Sequence, residues 1–262
     1  MIHESAIISN KAIIDPSVEI GPYCFIGDNV QLSKNNKLIS HVSIVGHTSI
    51  GENNTFYPFT SIGSIPQDLK YKGEKSYLIV GNDNIFRENV TVNPGTEGGG
   101  FKTVIENKCL FMVGSHVAHD CLIKSNAILA NNATLAGHVI IFENVVIGGN
   151  SAIHQFVQIG KFSMIGGMSG VGKNIIPYSL YTGTRNDVEL RVNIIGLKRK
   201  GLNSSKINNI TKTFKLIFDQ SNSIENNVDK LPHELKNINE VFEIIEFIKN
   251  NKKRGLYRYN ND

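Results

Sequence analysis

A bulky apolar residue returns at every sixth position over almost two thirds of the chain. The first run reads Ile2, Ile8, Ile14, Ile20, Ile26, Leu32, Leu38, Ile44, Ile50, Phe56 and Ile62. The beat resumes at Val80, Phe86 and Val92, and a second long run extends from Ile105 and Phe111 to Ile165 and Val171. A helix repeats at about 3.6 residues and a strand at about two, so neither produces this beat. A short fixed period identifies a solenoid, and a hexapeptide period points to a parallel β-helix.

The rest of each hexad agrees. The residue after the beat is often glycine or small, as at Gly21, Gly51, Ala130 and Gly160. The residue four places on is small or β-branched, as at Ala6, Val18, Thr60, Ala127 and Val139. Each hexad therefore reads as one short strand and a tight turn. The large side chain points inward, and the small one fills the interior near a corner.

The beat breaks twice, which predicts insertions at 64–79 and 94–104. A solenoid expels insertions at its corners as loops, often on a binding face. The first carries Asp68 and Lys70 and is the better functional candidate. The second, with Gly98-Gly99-Gly100, reads as a flexible loop. Beyond Val171 the beat fades, and from about Asp187 the spacing turns helical. Leu190, Ile194 and Leu197 form one stripe. Ile207, Ile210, Phe214, Ile217 and Phe218 form a second, and Val241, Ile244, Ile245 and Ile248 a third. The expected organisation is mainly β: a parallel β-helix over 1–185, then a helical domain over 186–262. The helices would cover the open end of the solenoid, otherwise an exposed sheet edge.

Composition narrows the class only a little. The chain has 262 residues, no Trp and a formal charge of +4. No charged segment with an apolar stretch precedes the repeat, so no signal peptide is expected. No apolar run approaches a membrane span, and a cytoplasmic protein is expected. The cysteines, Cys24, Cys109 and Cys121, all fall at the small interior position and read as buried hydrophobes. Basic residues gather late, at Lys198, Arg199 and Lys200, then Lys252, Lys253 and Arg254. Such clusters are solvated faces or docks for acidic partners or phosphate. No aromatic–basic platform accompanies them, so nucleic acid is not expected.

Coil arithmetic brings distant residues together. Hexads of this kind resemble those of a three-sided β-helix with three hexads per coil, in which residues ~18 apart stack about 4.8 Å from one another. His119, Gly137 and Gln155 then share a column; Asp120, His138 and Phe156 form its neighbour, and His116 lies just before. Taken singly, each has an ordinary reading: an outward His is polar surface, Asp120 satisfies a turn, and Gly137 is a corner. His41 and His47, with no such company, stay surface. The convergence points to chemistry. A His beside a carboxylate, with a second His one coil away, suits general-base catalysis near neutral pH. An exposed glycine amide can polarise a developing oxyanion.

Two strings are more specific than the repeat: His116-Val117-Ala118-His119-Asp120-Cys121, and Leu129-Ala130-Asn131-Asn132-Ala133-Thr134-Leu135-Ala136-Gly137-His138. With Gln67-Asp68-Leu69-Lys70-Tyr71, His154-Gln155-Phe156 and Gly196-Leu197-Lys198-Arg199, the chain closely resembles the acyl-[acyl-carrier-protein]–UDP-N-acetylglucosamine O-acyltransferases over its whole length. The resemblance implies a left-handed helix with a C-terminal helical domain, assembled as a homotrimer with sites between subunits. It implies transfer of an (R)-3-hydroxyacyl chain from acyl carrier protein to the 3-hydroxyl of UDP-N-acetylglucosamine, the first step of lipid A biosynthesis, without metal or cofactor.

The same resemblance assigns roles. His119 would be the general base, Asp120 its orienting partner and the Gly137 amide the oxyanion donor. Asp68, His116, His138 and Gln155 would bind the sugar nucleotide and acyl chain, with Lys70 nearby. Asn193 and Arg199 would reach the nucleotide from a neighbouring chain, and Gly167 would form an acyl-pocket floor that admits a longer chain.

Some positions depart from the pattern. Ile195 stands where Glu is common, Lys200 where a second Arg is common, and Asn93-Pro94 where His-Arg is common. The stretch from Thr184 to Glu189 is one residue longer. These bear on nucleotide contacts and acyl length, leaving the base and oxyanion donor untouched. The alternatives are another hexapeptide acyltransferase, including one for a 3-amino sugar, and a γ-carbonic-anhydrase-like enzyme with His116, His119 and His138 on zinc.

Overall fold

The computed structural model describes residues 1–184, 187–250 and 253–259. Its main body is a left-handed parallel β-helix with three sheets of nine, eight and ten short strands as its faces. Ile7 pairs with Phe25 and Ile8 with Ile26, an offset of 25 − 7 = 18 residues per coil. The same offset carries His116 to Thr134 and Thr134 to Ala152. The beat residues fill the interior: Ile26, Ile44, Ile62, Phe111, Leu129 and Ile147 are all fully buried. Phe56, Phe86 and Phe111 stack in one column with successive centroids 4.8 Å apart. Cys24, Cys109 and Cys121 are free and buried, as expected. Burial pushes the Cys109 thiol up to about 11 and that of Cys121 up to about 12.

Many corners turn through a left-handed residue. Asparagines supply several, including Asn126, Asn132 and Asn144, because Asn tolerates this conformation better than most residues. Asp120, His138 and Phe156 hold it too, with φ of 59°, 60° and 65°. One corner column thus projects these three side chains from successive coils.

Two boundaries differ from the hexad count. Tyr77–Val80 is a strand paired with His47–Ile50 on one side and Lys102–Ile105 on the other. The coil therefore resumes before Val80 and Ile105, and the excursions are confined to 64–76 and 94–101. These four-residue strands bury an extra inward position each, Leu78 and Thr103, which the six-residue beat does not count.

The exit also differs. Asp187–Val192 is a strand antiparallel to Ser179–Thr184, so Leu190 belongs to a hairpin and not to a helical stripe. Its spacing from Ile194 and Leu197 satisfies a helix by coincidence, an ambiguity inherent in short apolar runs. Arg185 and Asn186, at the expected boundary between the two regions, lie outside the described residues, as does Lys252.

Among the described residues five helices follow: α1 (Ile194–Arg199), α2 (Ser204–Ile217), α3 (Ile224–Asp229), α4 (His233–Lys236) and α5 (Asn239–Asn250). The Asn203 side chain caps α2 by accepting the Lys206 N–H at 2.9 Å. The second and third stripes meet as the buried faces of α2 and α5. Glu243 of α5 bonds Lys161 and Tyr178, and Phe247 packs edge-on to Phe142 at 5.7 Å. The returning tail sets Leu256 beside Asn174, and the Tyr257 hydroxyl accepts the Gly172 N–H at 2.9 Å. The last coil is thereby covered. Among the described residues no helix is long and apolar enough to cross a membrane.

Candidate active site

The turn after the strand His116–Val117 carries His119 and Asp120. His119 is 5% exposed, not outward-facing as its hexad place suggests. Its ring lies against Gly137, where an added Cβ would come 2.4 Å from Cε1. Glycine at 137 is thus the space in which the imidazole sits. The Gly137 N–H has no acceptor among the described residues; the neighbouring His138 N–H takes the His119 carbonyl.

His119 Nδ1 lies 2.8 Å from Asp120 Oδ2. An ionised carboxylate only accepts, so Nδ1 carries a proton, and in the neutral imidazole Nε2 is then the nitrogen with the free lone pair. Nε2 faces the first insertion, 4.0 Å from Asp68 Oδ2. Asp120 has a wholly buried side chain. Burial alone would raise its carboxyl; hydrogen bonds from His119 and Thr96 together outweigh that and hold it below its usual range.

Thr96 is a site residue that no sequence pattern marks. Its backbone N–H donates to Asp120 Oδ1 at 2.8 Å and its hydroxyl to Oδ2 at 2.6 Å. Thr103 adds a bond from below, accepting the Asp120 N–H at 2.8 Å. The glycine run is not a slack loop. A Cβ at Gly99 would lie 1.9 Å from Asp120 Cγ, so this strand of backbone closes directly over the carboxylate.

The other residues fall into two groups. His138 stands edge-on to His119 at 5.1 Å and stacks on Phe156 at 4.3 Å, with Nε2 3.7 Å from Asp120 Oδ2. Burial lowers its pKa, against the pull of the Asp120 charge. His116 shares a 2.7 Å hydrogen bond with Thr91, and burial, aided by His119, lowers its pKa as well. Asp68 caps its own turn by accepting the Lys70 N–H at 3.0 Å, Lys70 itself being exposed. Gln155 is half-buried, beyond Gly137 in the same column. Beside it, the tail brings Lys253 and Arg254 over the Phe156 ring at 5.1 and 6.0 Å, and Arg254 reaches His154 at 2.9 Å.

Gly167, Asn193 and Arg199 are not joined to this cluster by hydrogen bond or ion pair among the described residues. Gly167 lies over Gly149 at a different corner. Asn193 caps α1: its Oδ1 accepts the Gly196 N–H at 3.2 Å and its Nδ2 donates to the Phe162 carbonyl at 3.0 Å. Arg199 is exposed on the last turn of α1.

His119, Asp120 and His138 bring potential ligand atoms within 4.8 Å of one another, a spacing that would hold a cation. The bonding argues for a base instead. Both Asp120 oxygens already accept from Thr96, and one also from His119.

A hexapeptide β-helix bearing a buried His–Asp pair beside a free turn amide defines a class, the hexapeptide-repeat acyltransferases. Likeness to known proteins narrows the class to a family. Residues 174–257 match the family profile described as UDP N-acetylglucosamine O-acyltransferase, domain 2. The chain is 46% identical over 257 residues to the acyl-[acyl-carrier-protein]–UDP-N-acetylglucosamine O-acyltransferase of Thermodesulfovibrio yellowstonii, covering 98% of this chain and 99% of that protein. It is 49% identical over 210 residues to the same-named protein of Rickettsia canadensis, covering 80% and 79%. The structure of Francisella novicida UDP-N-acetylglucosamine acyltransferase matches with a TM-score of 0.94 at 33% identity, over 100% of this chain and 95% of that one. This chain belongs to the acyl-[acyl-carrier-protein]–UDP-N-acetylglucosamine O-acyltransferase family.

Proposed function

We propose that this chain transfers an (R)-3-hydroxyacyl group from acyl carrier protein to the 3-hydroxyl of UDP-N-acetylglucosamine, the opening step of lipid A biosynthesis, in the cytoplasm. The observation that carries the reading is the His119–Asp120 pair, with Nε2 facing Asp68. Nε2 takes the hydroxyl proton as the sugar oxygen attacks the thioester carbonyl. The Gly137 N–H meets the resulting oxyanion. As the C–S bond breaks, the imidazolium returns its proton to the departing thiolate of the carrier. Asp120 remains ionised throughout and stabilises the imidazolium.

Asp68 holds the sugar, and neutral His116 and His138 line its surroundings with Gln155 and Lys70. Gly167, without a side chain, leaves room for a longer acyl chain. The direct test is transfer by the purified protein, with carrier-bound acyl donors of increasing length, UDP-N-acetylglucosamine or its 3-amino counterpart, and a chelator present. Ester formation unaffected by the chelator is expected. Activity only on the amino sugar, or only with metal restored, would overturn the assignment.

Asp68→Ala should weaken acceptor binding. Hydrogen bonds to a charged group contribute roughly 1.5–3 kcal/mol each, about one to two decades in affinity. The KM for UDP-N-acetylglucosamine is expected to rise by that factor while the melting temperature hardly moves, since Asp68 sits in a loop outside the core. An unchanged KM would return Asp68 to the role of a turn residue.

A homotrimer completes the proposed site, because Asn193, the cap of α1, and Arg199, on its last turn, are not joined to His119 by hydrogen bond or ion pair among the described residues. An outward column of Ile85, Leu110, Ile128, Val146 and Met164 along one sheet supplies an apolar face for self-association. Sedimentation should give three chain masses. Mixing His119→Ala with Arg199→Ala chains should restore part of the activity; a fully active monomer would refute the shared site.

A further inference from the structure

The second insertion closes more tightly on Asp120 than a loop leaving a solenoid corner requires. We propose that Thr96 is a positioning residue of the transfer reaction, holding the Asp120 carboxylate in the one rotation that keeps His119 a base. This rests on His119 being the base.

Asp120 Oδ2 has two imidazoles within reach, His119 Nδ1 at 2.8 Å and His138 Nε2 at 3.7 Å. A carboxylate turns readily about its last torsion, a broad, roughly two-fold well. Thr96 removes that freedom by donating to both oxygens at once. The threonine is itself held. It is 4% exposed, and its carbonyl accepts the N–H groups of Gly99 and Phe101 at 3.1 and 2.8 Å. The next residue, Glu97, donates its N–H to Glu74 Oε1 at 3.2 Å. Glu74 belongs to the first insertion, so the loop that carries Asp68 and the loop that aims Asp120 are tied together.

If the carboxylate swung toward His138, Nδ1 of His119 would lose its acceptor. The proton could then reside on Nε2, and that tautomer cannot take a proton from a hydroxyl at Nε2. The charged or titratable groups around the pair are Asp68 before Nε2, His116 and His138 beside the rings, Cys121 following Asp120, and Lys253 toward His138. Among the described residues Thr96 has no hydrogen bond to a position assigned to substrate, so its effect should appear in turnover, not in binding.

The test replaces the hydroxyl while keeping the branched shape. For Thr96→Val we expect kcat to fall about 10- to 100-fold, the scale of a small misplacement at a reacting centre, with KM for UDP-N-acetylglucosamine unchanged. Thr96→Ser should restore turnover. An unchanged rate in Thr96→Val would overturn the proposal, as would a fall in kcat matched by a rise in KM or one that Thr96→Ser does not rescue. Should Thr96→Val fail to fold, Thr96→Ala carries the same expectations, and failure of both to fold would assign Thr96 to structure alone. Wild type assayed alongside separates the two readings: no transfer by wild type sinks the proposed function, whereas active wild type with an unaltered variant sinks only the role of Thr96.

Discussion

His119→Ala should lose nearly all transfer activity while the β-helix remains intact. Loss of a general base typically costs about 10²- to 10⁴-fold in rate. Here the remaining groups cannot substitute. His138 turns its Nε2 to Asp120, 3.7 Å away, and His116 is engaged with Thr91. The fold should survive because the removed ring fills a polar niche formed by Gly137 and the two insertions, outside the stack of beat residues. Asp120 keeps both bonds from Thr96 and the bond to Thr103 through its backbone. Single-turnover rates with saturating donor and acceptor, beside a circular dichroism melt, form the check. A folded variant within tenfold of wild type would remove His119 from the mechanism, and with it the proposed function.

Phe86→Ala should do the reverse, sparing the chemistry and undermining the fold. Phe86 is fully buried between Phe56 and Phe111, its ring within 5° of parallel to the first and 2° to the second. Truncating a buried Phe costs roughly 3–5 kcal/mol, because the cavity adds to the lost transfer energy. Neighbouring coils cannot collapse to fill the gap: their spacing is held by continuous hydrogen-bonded ladders on three faces. Urea titration of the variant should show a stability loss of that size. At a temperature where both proteins are folded, turnover should be close to wild type, since Phe86 lies on another face from His116–Val117. A loss under about 1 kcal/mol would show that the column is more compliant than the ring geometry implies.

What is legible in the chain follows a physical divide. The inward positions of a β-helix are chosen by one repeated environment, so Ile26 or Leu129 announces the fold from any coil. The proposed catalytic pair is legible for the same reason. Stacking by whole coils is arithmetic, and residue numbers alone place Gly137 beside His119. Thr96 and Gly99 are not legible, because an insertion has no period and its return path cannot be counted. A glycine run in such a segment reads as slack, whereas here it is a close contact. Tyr77 and Leu78 read as loop because a beat of six records one inward residue where a four-residue strand has two. Leu190 fits a helix and lies in a hairpin. Only resemblance points Asn193 toward a nucleotide; within one chain its amide holds the start of α1 to the preceding coil.

The cover that α5 and the tail place on one end of the prism has no counterpart at the other among the described residues. At the first coil the beat residue Ile2 is 54% exposed, and Ile8 and Ile14 are only half-buried. In a stack where each coil is steadied only by its neighbours, such an end frays most readily. The molecule therefore has a soft end and a hard end. His119 lies between the fraying coils and the capped one, with Asp68 and Thr96 looping across from the soft side to meet it. Thermal motion would loosen the Asp68 side of the site before it disturbs the coils that follow, so under the proposed function entry of the sugar and rigidity of the base can be set independently.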